Sequence, residues 1–423
     1  MALTGEHTYV GFGFGPIQAG LFLCEAFQSG RFGRLAVVEV LPELVAELRA
    51  AGGLYSVNIA HADHVETVRV GPVEVFDPAV DGDRERLAGA VAEAHEIATA
   101  IPSATLYKTP GPASLHRILA DGLAQARRPA VVYAAENHNR AAEILEAVVH
   151  EEHDVRAVQF LNTVIGKMSG LAEDPAEHGL ATVTPQSDRA FLVEAFNRIL
   201  VSKVRLPGFE RGIGAFEEKA DLLPFEEAKL FGHNATHALA AYLARLMGIE
   251  RIADLRDVPG FLPFLREAFL EESGAALIRK WRGVDELFTP QGYREYADDL
   301  LERMTNPFLM DTVERVGRDP RRKLGWDDRL IGTMRLALAQ RVEPRRYAIG
   351  AAAAFAALDD GFLDGAAAVG ELADPTWQPD AAERETVLGW IEAGRRFICA
   401  WRDARFPDLQ EFFSGRWIRK GVS

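Results

Sequence analysis

Up to about residue 180, short apolar and β-branched runs alternate with stretches of helical period. Residues 9–11, 35–40, 130–134 and 157–162 predict strands. Residues 16–28, 43–51, 83–99 and 113–126 predict helices. This alternation predicts a parallel sheet with helical crossovers. Residues 67–76 predict an added strand or hairpin. From about residue 186 helical period takes over, at 188–203, 237–247, 260–277, 293–303, 326–339, 344–357 and 381–397, and strand signals nearly vanish. The boundary is expected between Gly179 and Asp188, near Thr184-Pro185. That divides the chain into residues 1–185 and 186–423, an α/β N-terminal domain and a mostly α-helical C-terminal domain.

The first predicted strand runs into Gly11-Phe12-Gly13-Phe14-Gly15-Pro16-Ile17-Gln18-Ala19-Gly20. Gly13 and Gly15 match the first two glycines of G-x-G-x-x-G. The first permits a tight turn, and the second lets the backbone approach a pyrophosphate at a helix N-terminus. Gln18 stands at the third position, and Gly20 can supply the close helix–strand contact instead. Pro16 removes one N–H donor, although its φ suits a first helical turn. Phe14 and Ile17 complete the candidate turn. Glu39 lies at the end of the second predicted strand, 24 residues after Gly15. Its carboxylate can accept from both ribose hydroxyls of an adenosine and would repel a 2′-phosphate, so NAD is expected over NADP. The bland alternative is a structural turn with a capping glutamate. Thr109 and Gly111, in Thr109-Pro110-Gly111-Pro112, are candidates for a loop over the nicotinamide side.

A second constellation is Lys229-Leu230-Phe231-Gly232-His233-Asn234-Ala235-Thr236-His237, a Lys-x4-Asn-x2-His pattern before an apolar helical run. Lysine can lose a proton, asparagine can hold an oxygen and histidine can orient a hydroxyl. The bland alternative is a solvated lysine, a capping asparagine and a chance histidine. Glu226 and Glu227 either exchange protons with water or form a solvated helix face. Arg315, Arg318, Arg321, Arg322 and Lys323 gather cations suited to a substrate phosphate. The alternative is surface charge.

Composition narrows the rest. A net charge of −15 argues against nucleic acid and anionic membrane surfaces. Cys24 and Cys399 form no C-x-x-C and no His/Cys cluster, which fits a reducing cytoplasm rather than a disulfide framework. No signal sequence opens the chain, and no apolar tract approaches the length of a membrane span.

The blocks 13–20, 111–115, 135–140, 225–243, 271–280 and 306–331 resemble, in order, the polyol-specific long-chain dehydrogenases. The closest branch is mannitol-1-phosphate 5-dehydrogenase. The Lys-Asn-His block carries the specific part of the resemblance. Pro16 and Gln18 depart from the usual turn, and extra residues are expected in 361–380 and at the C-terminus. The resemblance implies a Rossmann-type NAD-binding domain, a helical catalytic domain and an active site in the cleft between them. It implies a metal-free oxidoreductase interconverting a sugar-alcohol phosphate and a ketose phosphate. Lys229 would be the general base, Asn137 and Asn234 would hold the carbinol oxygen, and His237 would bond it or a neighbouring hydroxyl. Lysine has an ordinary pKa of about 10.4, so burial or nearby positive charge must lower it for this role. A free polyol or sugar acid is the alternative substrate. A non-catalytic NAD-binding redox sensor is the alternative class.

Overall fold

The computed structural model describes residues 3–417, apart from 173, 197, 367, 374–376, 378 and 379. The extra residues expected at 361–380 therefore lie partly, and those at 418–423 wholly, outside the described residues. The chain forms two compact units, Met1–Leu223 and Pro224–Ser423.

In the first unit, strands β1 (His7–Phe12), β2 (Phe32–Val38), β3 (Tyr55–Ala60), β4 (Val65–Val70), β5 (Glu74–Phe76) and β6 (Glu96–Thr99) come first. β7 (Ala130–Ala134), β8 (Val158–Ile165), β9 (Ser169–Ala172), β10 (Ala190–Glu194), β11 (Ile199–Ser202) and β12 (Phe216–Lys219) follow. An eight-stranded sheet runs β12-β11-β8-β7-β6-β1-β2-β5, and its six strands β8, β7, β6, β1, β2 and β5 are mutually parallel. Taken in chain order, those six parallel strands stand 3-2-1-4-5-6, the doubly wound arrangement. Their runs are apolar without alternation because both faces are covered. Val10, Ala36, Ile97 and Val132 face one core, with helices Asp81–Glu93, Leu115–Leu123 and Ala141–His150. Tyr9, Leu35, Val37 and Val131 face the other, which is closed by the helix at 16–29 and the second sheet β4-β3-β10-β9.

Two expectations fail here. The predicted helix at 83–99 ends at Glu93, and its last residues form β6. The predicted helix at 188–203 is β10 and β11. Ala-Phe-Leu-Val-Glu and Ile-Leu-Val-Ser are short unbroken apolar runs, and such runs do not separate a buried strand from a buried helix by period. Because β10–β12 pair into the N-terminal sheets, the chain divides at Leu223/Pro224 rather than at residue 185. The predicted addition at 67–76 is real but split between the β3–β4 hairpin and β5.

The second unit is helical. Its centre is Arg345–Leu358, buried from Arg346 to Phe355 and packed against Ala235–Leu246 and Ala381–Asp403. Alanine-rich faces let these axes approach closely, which accounts for the alanine bias. Two π-helical turns, Ala228–Asn234 and Ala268–Gly274, interrupt the helices of this unit. Tyr293 is fully buried against both; a Cβ on Gly232 would stand 2.7 Å from its hydroxyl, and one on Gly274 would stand 2.6 Å from its ring.

Candidate functional site

The sheet order of the first unit reverses between β1 and β6, so their carboxyl ends open a crevice. Gly13 follows β1 with φ +85°, and a Cβ there would sit 2.8 Å from the Ala100 carbonyl oxygen. Only glycine fits that turn. A Cβ on Gly15 would meet nothing within 4 Å, whereas one on Gly20 would strike Val193 at 2.5 Å. Gly20 thus makes the close helix–sheet contact. Gln18, at the third glycine position, is fully buried and donates to the Tyr9 hydroxyl at 2.6 Å. It points into the core rather than obstructing the turn. Pro16 carries no N–H, so the donors that the helix's first turn can offer a ligand are those of Ile17 and Gln18.

Glu39 is buried at the end of β2. Its carboxylate accepts from Phe14 N at 3.0 Å, Val40 N at 2.7 Å and Leu41 N at 2.9 Å. It therefore braces the glycine turn and caps the residues after β2, the structural role set beside nucleotide binding in the sequence. The Phe14 ring packs between Tyr55 and Phe191, so this cofactor candidate is a core residue with its N–H taken by Glu39. Ile17 packs, partly buried, on the same core. Thr109 is exposed and donates its N–H to Ser114 Oγ at 3.0 Å, and Gly111 has φ +96°. Asn137 is exposed in the loop after β7. Its neighbour Glu136 passed unnoticed in the sequence. Buried, it accepts from Thr99 Oγ1 at 2.9 Å, Ile101 N at 3.0 Å and the Tyr107 hydroxyl, and ties the loops after β6 and β7 together.

In the second unit Lys229, His233 and Asn234 all lie on the π-turn Ala228–Asn234. On a regular α-helix, residues five apart diverge by roughly 140°. The wider π-turn bonds i to i+5 and brings Lys229 and Asn234 onto one face. Asn234 makes no capping bond to the helix Ala235–Leu246, so the bland reading of that asparagine fails. Lys229 is half-buried, and its pKa falls to about 8, first through burial and then through the Arg329 guanidinium, against an opposing pull from Glu226. Glu227 is committed elsewhere, accepting from Lys280 Nζ at 2.7 Å and Trp281 Nε1 at 2.8 Å.

His237 falls to a pKa of about 4, chiefly by burial, with Asp311 opposing and Arg315, Arg329 and Lys323 assisting. Its imidazole is neutral at pH 7. Burial also pushes His233 well below the ordinary histidine value, and its ring centroid lies 6.3 Å from that of His237. The five candidate phosphate cations, of which one or two were expected to face the site, do not act as one cluster. Arg318, Arg321 and Arg322 are exposed, and Arg322 pairs with Asp319 at 3.0 Å. Arg315 grips Asp311. Lys323 is buried, donates to the Arg318 carbonyl and is lowered to about 8, first by burial and then by Arg329. Arg329 thus bears on Lys229, His233, His237 and Lys323 together. It lies inside the block 306–331, yet nothing in its spacing marked it out. Among the described residues, no group of three or more His, Cys, Asp or Glu is placed to hold a metal ion, and no helix is long and apolar enough to cross a membrane.

These features define a class: a doubly wound α/β unit followed by a helical unit carrying a lysine–asparagine–histidine set. Residues 221–387 match the family model of the mannitol dehydrogenase C-terminal domain. Two solved structures share the fold over nearly the whole chain. D-sorbitol dehydrogenase in substrate-free form is 15% identical, with a TM-score of 0.69 over 99% of this chain and 95% of that one. The ternary complex of Pseudomonas fluorescens mannitol 2-dehydrogenase with NAD and D-mannitol is 16% identical, with a TM-score of 0.64 over 98% and 96%.

Proposed function

We propose that this chain is an NAD-dependent oxidoreductase that interconverts a polyol and its ketose, with Lys229 as the proton acceptor in oxidation and donor in reduction. The observation that carries this reading is Lys229 itself. It is half-buried on a π-turn beside Asn234, with a pKa of about 8. A structural lysine has no need of that environment, and a general base near neutrality does. The lowered value also weighs against a purely sensing role.

The first unit suits a dinucleotide through the glycine turn, the open approach at Gly15 and the acidic Glu39. Gly13, Gly15, Ile17, Glu39, Thr109 and Gly111 are the residues that would hold NAD. Bound NAD supplies the hydride acceptor. The chain supplies the rest. Lys229 takes the hydroxyl proton, and Asn234, with Asn137 as a second candidate, donates to the carbinol oxygen as charge develops. His237, kept neutral, orients a substrate hydroxyl. Glu226 holds the position for passing the proton onward.

Between substrate forms, the free polyol is the better supported. Four of the five candidate phosphate cations face solvent, and one of these, Arg315, is engaged by Asp311. Mannitol 2-dehydrogenase, of like fold, is bound to a free polyol. The phosphate reading retains one support, the cationic pair Arg329 and Lys323 around His237. Reduction of NAD should be screened with mannitol, sorbitol, mannitol 1-phosphate and hexonates. Turnover of a free polyol at least ten-fold better than its phosphate is expected. Exclusive use of mannitol 1-phosphate would reverse the order of the two readings, and no turnover of any of them would remove both.

A further inference from the structure

Asp311 has no part in the chemistry derived so far, yet it is 4% exposed and faces His237. Its Oδ2 lies 3.6 Å from His237 Nε2. Both atoms are buried; Nε2 has no hydrogen-bond partner among the described residues, and Oδ2 is met by the Arg315 ion pair. The Asp311 carboxylate is the acceptor that faces the unpartnered Nε2, and buried polar atoms in folded proteins are rarely left without a bond. A carboxylate only accepts, so the pair closes only if Nε2 carries the hydrogen. A lone pair on Nε2 would instead point at the carboxylate's own.

We propose that Asp311 is a positioning residue that fixes His237 as its Nε2–H tautomer, leaving Nδ1 to accept a hydrogen bond from a substrate hydroxyl. This rests on the reading of His237 as a substrate contact. Asp311 is itself held rigidly. Arg315 bonds it from Nε to Oδ1 at 2.7 Å and approaches Oδ2 through a terminal nitrogen at 2.6 Å. The Asp311 carbonyl accepts from Ile252 N at 3.0 Å, and Val313 N donates to the Glu250 carbonyl at 2.8 Å. The charge of Arg315 is thereby matched by Asp311 instead of waiting for an anionic ligand. The consequence for recognition is specific. A neutral histidine with Nδ1 unprotonated selects a ligand that presents an O–H there, and a deoxy or O-methyl analogue at that carbon loses the bond.

The test is the tautomer of His237 in the full chain labelled with 15N-histidine, read by long-range 1H–15N spectra at pH 7. The His237 signals are assigned by their loss in His237→Gln. A protonated Nε2 and an unprotonated Nδ1 are expected. Asp311→Asn should shift the ring to a mixture of tautomers, and Asp311→Glu should restore the wild-type pattern. In turnover, Asp311→Asn should lower kcat for the alcohol about ten-fold, the size of one neutral hydrogen bond, with KM for NAD unchanged. A wild-type Nδ1–H tautomer overturns the proposal, and so does an Asp311→Asn spectrum identical to wild type. Should Asp311→Asn fail to fold, the wild-type tautomer and Asp311→Glu still decide. The spectra need no turnover, so a protein inactive on every polyol would sink the dehydrogenase reading by itself, while the tautomer continues to test Asp311.

Discussion

The sharpest consequence of the Lys229 environment is a pH profile. A lysine with an ordinary pKa near 10.4 is neutral in only about one molecule in 2,500 at pH 7. At a pKa of about 8 the neutral fraction at pH 7 is about one in eleven. Burial and the Arg329 charge therefore raise the amount of competent base roughly two-hundred-fold. Oxidation of a polyol should follow that fraction. Log kcat/KM should climb with unit slope from pH 6 and level off just above pH 8. Reduction of the ketose needs the ammonium form and should decline over the same interval. Lys229→Ala should abolish both limbs and lower kcat by roughly 10²–10⁴ while NAD binding persists. The assay is NADH absorbance from pH 6 to 10 at saturating NAD, with circular dichroism confirming that the variant folds. A wild-type profile still climbing at pH 10 would refute the perturbed lysine. An alanine variant with near-normal kcat would refute its role as base.

Arg329→Leu removes a cation that depresses Lys229, so the oxidation limb should move to higher pH; an unmoved limb means that burial alone sets the value. Glu39→Ser breaks three backbone contacts, one of them to the glycine turn, and removes the charge proposed to meet the ribose. KM for NAD should rise at least ten-fold and the NAD/NADP preference narrow, and unchanged kcat/KM values for both cofactors would show that Glu39 is only a brace. Single alanine variants at the exposed Arg318, Arg321 and Arg322 should alter KM for phosphorylated or free substrate less than two-fold; a ten-fold rise confined to the phosphate would restore the phosphate reading. His237 keeps a folded pKa of about 4 against an ordinary 6.5. Protonation then favours the unfolded chain, so its contribution is intact above pH 6.5 and is lost as pH falls toward 4. Denaturant melts of wild type and His237→Gln should therefore converge or cross on acidification, and a constant gap between pH 7 and 4.5 would exclude the linkage.

Much of the first unit was legible in the chain because its signals are local. Strands buried on both faces read as unbroken apolar runs, helices as 3.6-residue periods, and a tight turn before a helix needs glycine at Gly13 whatever surrounds it. Lys229, Asn234 and His237 were legible as a spacing. What made that spacing a site was not. A regular helix would set Lys229 and Asn234 on different faces, and the π-turn that joins them depends on packing around Tyr293. The same limit explains the helix expected at 188–203. Its residues suit either state, and pairing with β3, β8, β9 and β12 decides for strand. Phe14 and Lys323 were selected as ligand contacts by residue type and motif position, and burial then assigned them to the interior. Glu136, Asp311 and Arg329 carried no signal because a charge in sequence does not show what it faces. Only the folded chain sets Arg329 near Lys229, His233 and His237, or turns the Asp311 carboxylate toward His237, because those encounters join segments 74 to 100 residues apart whose meeting no local pattern encodes.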